Sequence, residues 1–274
     1  MQGACGVQYV LPKRDRTLPA VQSDPRHARV RTSGMQSIGF AFPVQPGKEQ
    51  IMREVSNQLR GRRSEFAQSR QRAGVALERA YLQKNPDGST LVVAYVEAQS
   101  GFGDVVRTYT SSDLELDRYF VQKNGEATGI DFAAGPQGPE PQLVGEYVDS
   151  EAKGRQHGAA FAAPLQPGMT EAARQFAREA YETRKAEMTE SRRTKGLTRE
   201  IVFLNQTPAG DLVIVYLEGA DPVDANRQFA ASNAPFDRWF KDQCKRIFPP
   251  FVNFDEPVPV NEELFSSTEV MAVP

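Results

Sequence analysis

The sequence repeats itself, and this internal repeat limits the possible folds more than any other feature. The block Phe40–Gly47, FAFPVQPG, returns as Phe161–Gly168, FAAPLQPG, at an offset of 121 residues. Four further blocks return in the same order at offsets of 120 to 122 residues: Ser69-Arg70 as Ser191-Arg192, Tyr81-Leu82 as Phe203-Leu204, Leu91–Glu97 as Leu212–Glu218, and Asp117–Phe120 as Asp237–Phe240. Five blocks in one order predict a duplicated fold.

Each copy has the same predicted order of elements. In the first copy, Ile38–Val44 is a short apolar run ended by Pro-Gly, which favours a strand and a turn. Apolar residues at helical spacing follow over Lys48–Arg72. Val75–Lys84 and Thr90–Ala98 flank the turn sequence Asn-Pro-Asp-Gly, which predicts a β-hairpin whose second strand is central in its sheet. A shorter helix is predicted over Asp113–Lys123.

A last strand is expected near Ala127–Phe132 in the first copy and near Ile247–Phe254 in the second. The order βαββαβ, present twice, is that of the ferredoxin-like unit. One such sheet carries helices on a single face, so we expect the two sheets to pack face to face within the chain as a pseudo-dimeric α+β barrel. The two predicted repeats cover residues 35–131 and 155–254 and are joined by a Pro/Gly-rich linker over 132–154. A flexible basic arm over 1–34 precedes them, and an acidic tail over 255–274 follows. Met35 is a candidate native start.

Four motifs resemble a known family: the FAFP…PG opening, the Ser-Arg…Gly segment, the hairpin sequence LNQTPAGDL over 204–212, and the helix sequence FDRWF over 236–240. Together they resemble an uncharacterised bacterial group of the dimeric α+β-barrel superfamily, which includes the antibiotic-biosynthesis-monooxygenase-like proteins. The resemblance covers residues 36–131 and 155–254. It implies the barrel fold and functions that range over cofactor-free oxygenation, haem chemistry, isomerisation and ligand binding, and it offers no catalytic motif to transfer.

The composition excludes several classes of protein. Lys and Arg number 33 against 35 Asp and Glu, a formal net charge of −2, which disfavours a nucleic-acid binder. No apolar run approaches the ~20 residues that span a bilayer, so no membrane segment is expected. Two cysteines and two histidines predict neither a disulfide framework nor a metal or cofactor site, with a ligating His157 as the less favoured alternative. We expect a cytoplasmic protein with reduced thiols.

Two carboxylates recur in each predicted hairpin and are the candidate catalytic residues. They are Glu78 and Glu97 in the first copy and Glu200 and Glu218 in the second. Counting from the turn places Glu97 opposite residue 77 or 78 and Glu218 near Glu200, so the members of each pair are expected side by side on adjacent strands. Facing carboxylates repel unless a cation or a shared proton relieves them, so each pair is a candidate for proton transfer. The structural alternative is a ladder neutralised by nearby arginines.

Polar groups on the central strands and helix ends are candidates for ligand binding. Buried tyrosine hydroxyls need a partner and can orient an aromatic ligand between the sheets, although core packing explains them equally. Helix-end arginines can bind an anionic group or pair with the glutamates, and a favourable interaction with the helix dipole is the simpler explanation. The candidates are Tyr95, Tyr216, Gln83, Asn205, Arg70 and Arg192.

Two hypotheses of function follow, and whether the protein is an enzyme stays open. In the first, a small aromatic or apolar molecule binds between the sheets, where a cofactor-independent monooxygenase or isomerase reaction takes place. In the second, the protein is a non-catalytic interaction module with a filled inter-sheet core. A cavity of roughly 300 Å³ or more with converging polar groups would favour the first hypothesis. The oppositely charged arm and tail suggest contact with each other or with another subunit in a homo-oligomer.

Overall fold

Two antiparallel four-stranded sheets dominate the computed structural model, which describes residues 34–135, 138–207 and 209–271. The basic arm predicted over 1–34 lies outside the described residues, apart from Gly34. The first half of the chain contains, in order, β1 (Gln36–Val44), α1 (Glu49–Gly61), α2 (Arg63–Arg72), β2 (Val75–Lys84), β3 (Thr90–Ala98), α3 (Phe102–Thr110), α4 (Glu115–Thr128), a 3₁₀ turn (Phe132–Ala134) and β4 (Gln142–Val148). The second half contains β5 (His157–Pro164), α5 (Thr170–Arg178), a π-helical turn (Glu179–Thr183), α6 (Lys185–Thr194), β6 (Leu197–Thr207), β7 (Gly210–Gly219), α7 (Pro222–Ala231), α8 (Pro235–Ile247), β8 (Glu262–Ser266) and α9 (Ser267–Met271).

The two sheets have the same strand order, β1-β3-β2-β8 in the first and β5-β7-β6-β4 in the second. The hairpin strands β3 and β7 are therefore central, as their continuous apolar sequences predict. The turns after β1 and β5 use Gly47 and Gly168, whose φ angles of 79° and 81° favour glycine. The α+β fold of two ferredoxin-like units within one chain is confirmed.

The fourth strand of each sheet comes from the other half of the chain. Strand β4 pairs with β6 in the second sheet, and β8 pairs with β2 in the first. The strands predicted near Ala127–Phe132 and Ile247–Phe254 are wrong: the first range begins inside α4, and the second begins at the end of α8 and continues without a strand. Both true strands lie further along, beyond proline-containing segments, because the chain must first cross to the other sheet.

Alternate residues of the strands face two different environments. One set points from both sheets into the space between them and forms a shared core, which contains Leu77, Val93, Tyr95, Ile201, Phe203, Ile214 and Tyr216. The other set points outward under the helices of its own sheet. Helix–sheet cores result under each sheet: the first sheet covers one around Val55, Leu59 and Phe66 and another around Val96, Val105 and Tyr109, and the second sheet covers one around Phe229, Phe236 and Phe240. The sheets therefore pack face to face, as predicted.

Candidate functional site

The four candidate glutamates do not form the predicted pairs. In the observed register, Glu97 lies opposite Leu77, whereas Glu78 lies opposite Val96. The second half repeats this arrangement: Glu218 lies opposite Arg199, and Glu200 lies opposite Leu217. Because adjacent residues of a strand point to opposite faces, one member of each pair faces the other sheet and one faces the helices. A count from the turn is uncertain by one residue, and that residue decides the face.

Glu97 of the first half and Glu218 of the second half both contact the same two arginines at the sheet–sheet interface. Arg155 hydrogen-bonds to Glu97 and lies 3.6 Å from the Glu218 carboxylate. Arg199 lies 4.0 Å from Glu97 and 3.5 Å from Glu218. Two carboxylates are thus balanced by two guanidinium groups, which agrees with the ion-paired alternative and joins the two sheets.

Tyr95 and Tyr216 stack on one another in the centre of the shared core. Their ring centroids are 3.8 Å apart and their planes are 5° from parallel. The hydroxyl of Tyr95 donates to Glu97 at 2.7 Å, and that of Tyr216 donates to Glu218 at 2.6 Å. Burial raises the pKa of both hydroxyls, and the adjacent carboxylates raise each pKa further. These tyrosines remain neutral donors and connect the two sheets.

The amide candidates on the preceding strands also lie in this interface. Gln83 donates to the Ala162 carbonyl oxygen at 2.7 Å and accepts from the Ala162 amide at 2.8 Å, so it joins the first sheet to β5. Asn205 is buried on β6, opposite Leu212. The space expected to hold a ligand is instead packed by the shared core.

Two cavities lie elsewhere, one between each sheet and its own helices. Each has a volume of about 80 Å³. The lining of the first cavity, in the first half, includes Phe40, Met52, Val92, Phe102, Val105 and Phe265. The lining of the second cavity, in the second half, includes Phe161, Phe176, Val213, Phe229, Phe240 and Phe248. Both linings are mainly apolar, and each includes one candidate glutamate, Glu78 or Glu200.

A buried ion-pair network lies beside the first cavity. Arg70, at the end of α2, donates from Nε to Glu78 at 2.7 Å and from Nη1 to the Ser69 hydroxyl at 2.9 Å. That hydroxyl donates to Asp117 of α4 at 2.5 Å. Three rings surround the guanidinium, with centroid distances of 4.2 Å to Phe66, 4.9 Å to Tyr109 and 5.1 Å to Phe120. The helix-end arginine therefore pairs with a sheet glutamate, as one of the sequence alternatives proposed.

The second cavity has the corresponding network. Arg192 donates to Glu200 from Nε at 2.6 Å and from Nη2 at 3.0 Å. The hydroxyl of Tyr181 donates to the same carboxylate at 2.5 Å. Its ring packs against Gly145 of the exchanged strand β4, where a Cβ atom would come within 2.5 Å of the ring. Burial and the negative charge of Glu200 raise the pKa of Tyr181.

Asp237, at the start of α8, completes the second network. Burial alone would raise its pKa, but hydrogen bonds from three partners hold the pKa below its usual value. The donors are Lys195 at 2.7 Å, Ser191 at 2.5 Å and Ser232 at 2.5 Å. The carboxylate therefore stays ionised and anchors α8 to the end of α6.

Sequence reasoning identified the arginine and the glutamate of each network but missed the other members. The repeated Ser-Arg and Asp-Arg blocks contain the missing serine and aspartate, so the repeat itself was the available signal. Tyr109 and Tyr181 do not occupy corresponding positions in the two copies, and no pattern singled them out. No cluster of metal-ligating residues is present within 34–135, 138–207 and 209–271. None of the helices in these ranges is long and apolar enough to cross a membrane.

Comparison with protein-family models and with curated proteins gives no match. Among solved structures, a provisionally named monooxygenase from Fusobacterium nucleatum is 10% identical, covers 85% of this chain and 93% of its own, and has a TM-score of 0.45. An anthrone oxidase-like protein is 12% identical, with coverages of 88% and 96% and a TM-score of 0.45. A provisionally named monooxygenase from Lactobacillus acidophilus is 7% identical, with coverages of 85% and 94% and a TM-score of 0.46.

Proposed function

We propose that this α+β protein binds a compact apolar or aromatic molecule in its helix–sheet cavities. The observation that carries the proposal is the pair of mainly apolar cavities, each next to a buried arginine–glutamate pair. Ligand sites in proteins typically combine an apolar lining with a few placed polar groups. The proposed ligand sites therefore lie between each sheet and its helices, whereas the sequence analysis expected a ligand between the two sheets.

At about 80 Å³ each, the cavities are smaller than the roughly 300 Å³ of typical ligand pockets, which restricts any ligand to a compact molecule. A single water needs roughly 10–15 Å³ of such space, so a cavity of about 80 Å³ holds several waters or one small ring with a short substituent. Empty apolar cavities of this kind are energetically unfavourable, because the lining atoms lose dispersion contacts. Binding an apolar molecule restores those contacts and removes its surface from water.

Native mass spectrometry of protein purified from its own host tests the proposal directly. A bound small molecule should be detected and should be lost from variants whose cavities are filled. Ala94→Leu fills the first cavity and Ala177→Leu fills the second, since both alanines line them. The matched control is Ala76→Leu, an equal enlargement at an exposed position of β2. A ligand that survives both fillings in folded protein would place binding outside the cavities and refute the proposal.

The proposal extends to catalysis by the cavity carboxylates. Glu78 and Glu200 line the cavities, and a carboxylate facing an apolar space can accept a proton from a bound carbon or oxygen acid. Such a step fits the isomerase or cofactor-independent monooxygenase reaction of the first hypothesis. Exchange of an acidic ligand proton for deuterium, and oxygen uptake with that ligand, should be lost in Glu78→Gln or Glu200→Gln. No difference from the wild type would refute the catalytic role.

A non-catalytic interaction module is the second candidate function. The packed inter-sheet core favours it, because Glu97, Glu218, Tyr95 and Tyr216 are engaged with one another and with arginines. This candidate predicts that Glu97→Gln changes stability and leaves ligand binding unchanged. It is preferred if the purified protein carries no small molecule and takes up none.

We also propose that the chain arose by duplication. The five repeated blocks and the identical order of strands in the two sheets support this origin. The corresponding networks of Arg70 and Arg192 support it as well, because the same residue types occupy the same places under both sheets.

A further inference from the structure

The two cavities differ in their tyrosines. Around Arg192, rings of Phe229 and Phe240 lie with centroids 4.8 Å from the guanidinium carbon. Beside Arg70, the ring contributed by α3 is that of Tyr109, whose centroid lies 4.9 Å from the guanidinium carbon. The first cavity therefore carries a phenol where the second carries only a phenyl ring.

The second cavity uses its own tyrosine to close its polar network. Glu200 accepts hydrogen bonds from Arg192 Nε, Arg192 Nη2 and the Tyr181 hydroxyl. At the offset of 122 residues that relates Arg70 to Arg192, the residue corresponding to Tyr181 is Leu59, which is buried and has no hydroxyl. The polar groups beside the second cavity thus satisfy one another without a ligand, and the first half lacks the tyrosine that does this.

Two buried donors in the first half, on Arg70 and Tyr109, lack a hydrogen-bond partner among the described residues, and the one on Tyr109 lines the first cavity. Tyr109 lines this cavity, and its hydroxyl makes no hydrogen bond among the described residues. Nη2 of Arg70, whose guanidinium packs on the Tyr109 ring, makes none either within the same ranges. A buried polar group without a hydrogen bond is destabilising unless a ligand or a water meets it. Burial raises the pKa of Tyr109, so its hydroxyl keeps the proton that it would donate.

The charges around these donors favour a neutral acceptor over an anion. Arg70 lies 2.7 Å from the Glu78 carboxylate and 4.0 Å from that of Asp117. One positive charge therefore faces two negative ones, and an added anion would be repelled. A carbonyl oxygen accepts hydrogen bonds without adding a charge.

We infer that the first cavity is the specific binding site and that it takes a neutral, single-ring compound with a carbonyl oxygen that accepts a hydrogen bond from Tyr109. The inference rests on the proposed function, since it assigns a ligand class to one of the two proposed cavities. The second cavity, whose polar groups are already paired, has a structural role or accepts purely apolar molecules. Tyr109 is a specificity-determining residue in this arrangement.

Two isosteric probes test the inference in the full-length protein. Acetophenone carries a carbonyl oxygen, and α-methylstyrene replaces that oxygen by a methylene group of similar shape. Dissociation constants are measured for both by NMR titration of methyl resonances, in the wild type and in Tyr109→Phe. The matched control is Tyr181→Phe, which removes the hydroxyl beside the other cavity.

We expect acetophenone to bind the wild type more tightly than α-methylstyrene. Tyr109→Phe should weaken acetophenone binding by about three- to tenfold, as expected for the loss of one hydrogen bond, and leave α-methylstyrene binding unchanged. Tyr181→Phe should leave acetophenone binding unchanged, and Ala94→Leu should abolish acetophenone binding where Ala177→Leu does not.

Three results would overturn the inference in different ways. Equal affinity for both probes, unaffected by Tyr109→Phe, would mean that the free donors hold water only, and the proposed apolar binding would still stand. Binding of neither probe would refute the inference and the proposed function together. Loss of acetophenone binding in Ala177→Leu alone would show that the carbonyl compound occupies the second cavity instead of the first.

Discussion

Replacing Phe265 by alanine tests the exchange of the last strand. Phe265 lies on β8, which the second half contributes to the first sheet, and it is 4% exposed. Its ring packs edge-on against Phe66, with centroids 6.0 Å apart. Truncating a buried phenylalanine to alanine costs about 3–5 kcal/mol. Because whole domains are stable by only about 5–15 kcal/mol, Phe265→Ala should lose a large share of the free energy of unfolding.

Urea denaturation followed by circular dichroism measures this loss. The matched control is Phe251→Ala, which removes the same atoms from a ring that is 66% exposed, in the segment where a strand was predicted. That variant should change the free energy of unfolding by no more than about 0.5 kcal/mol. The exchange of β8 would be refuted if the two variants behaved alike, or if Phe265→Ala lost less than about 1 kcal/mol.

Three further predictions concern the buried networks and the shared core. Arg192→Met leaves the Glu200 carboxylate buried without its cation and should lower the free energy of unfolding in urea by about 3–5 kcal/mol, whereas adding Glu200→Gln should restore part of the loss. Asp237 has a lowered pKa in the folded protein, so the stability that it contributes is present above about pH 4 and is lost as the pH falls through that folded-state pKa. Asp237→Asn should therefore reduce the loss of the free energy of unfolding at acidic pH. An unchanged slope of this free energy against pH would contradict the prediction. Gly39→Ala places a Cβ atom against the buried ring of Phe203 and should cost about 1–3 kcal/mol in thermal unfolding; no loss would mean that the sheets are not tightly packed there.

Local patterns predicted most of the elements, because they depend on residues close together in the chain. The Asn-Pro-Asp-Gly turn and the continuous apolar run within Thr90–Ala98 are sufficient to indicate a hairpin with a central strand. The helical spacing after Pro46-Gly47 is equally local. The repeat predicted two sheets, each covered by helices on one face only. The uncovered faces need a partner, so the face-to-face arrangement could be inferred as well.

The candidate site was predicted only in part, because its geometry depends on register. Arg70 and Glu78 were both singled out, but their contact required knowing that Glu78 faces the helices. A difference of one residue in the pairing moves a side chain to the other face, and composition carries no information about it. The role of Tyr109 was invisible in the sequence, since a tyrosine on a helix is usually core packing.

The sequence by itself indicated the duplication, the first strand, the helices and the hairpin of each half, and the arginine and glutamate of both ion-pair networks. Only the tertiary structure decided that β4 and β8 exchange sheets, that Glu97 and Glu218 meet between the sheets, and that the cavities lie under the helices. The physical reason is that strand exchange and cavity position depend on contacts between residues far apart in the chain, such as Ser56 with Leu264. Local propensity and periodicity depend only on residues close together in the chain, so they give no information about such contacts.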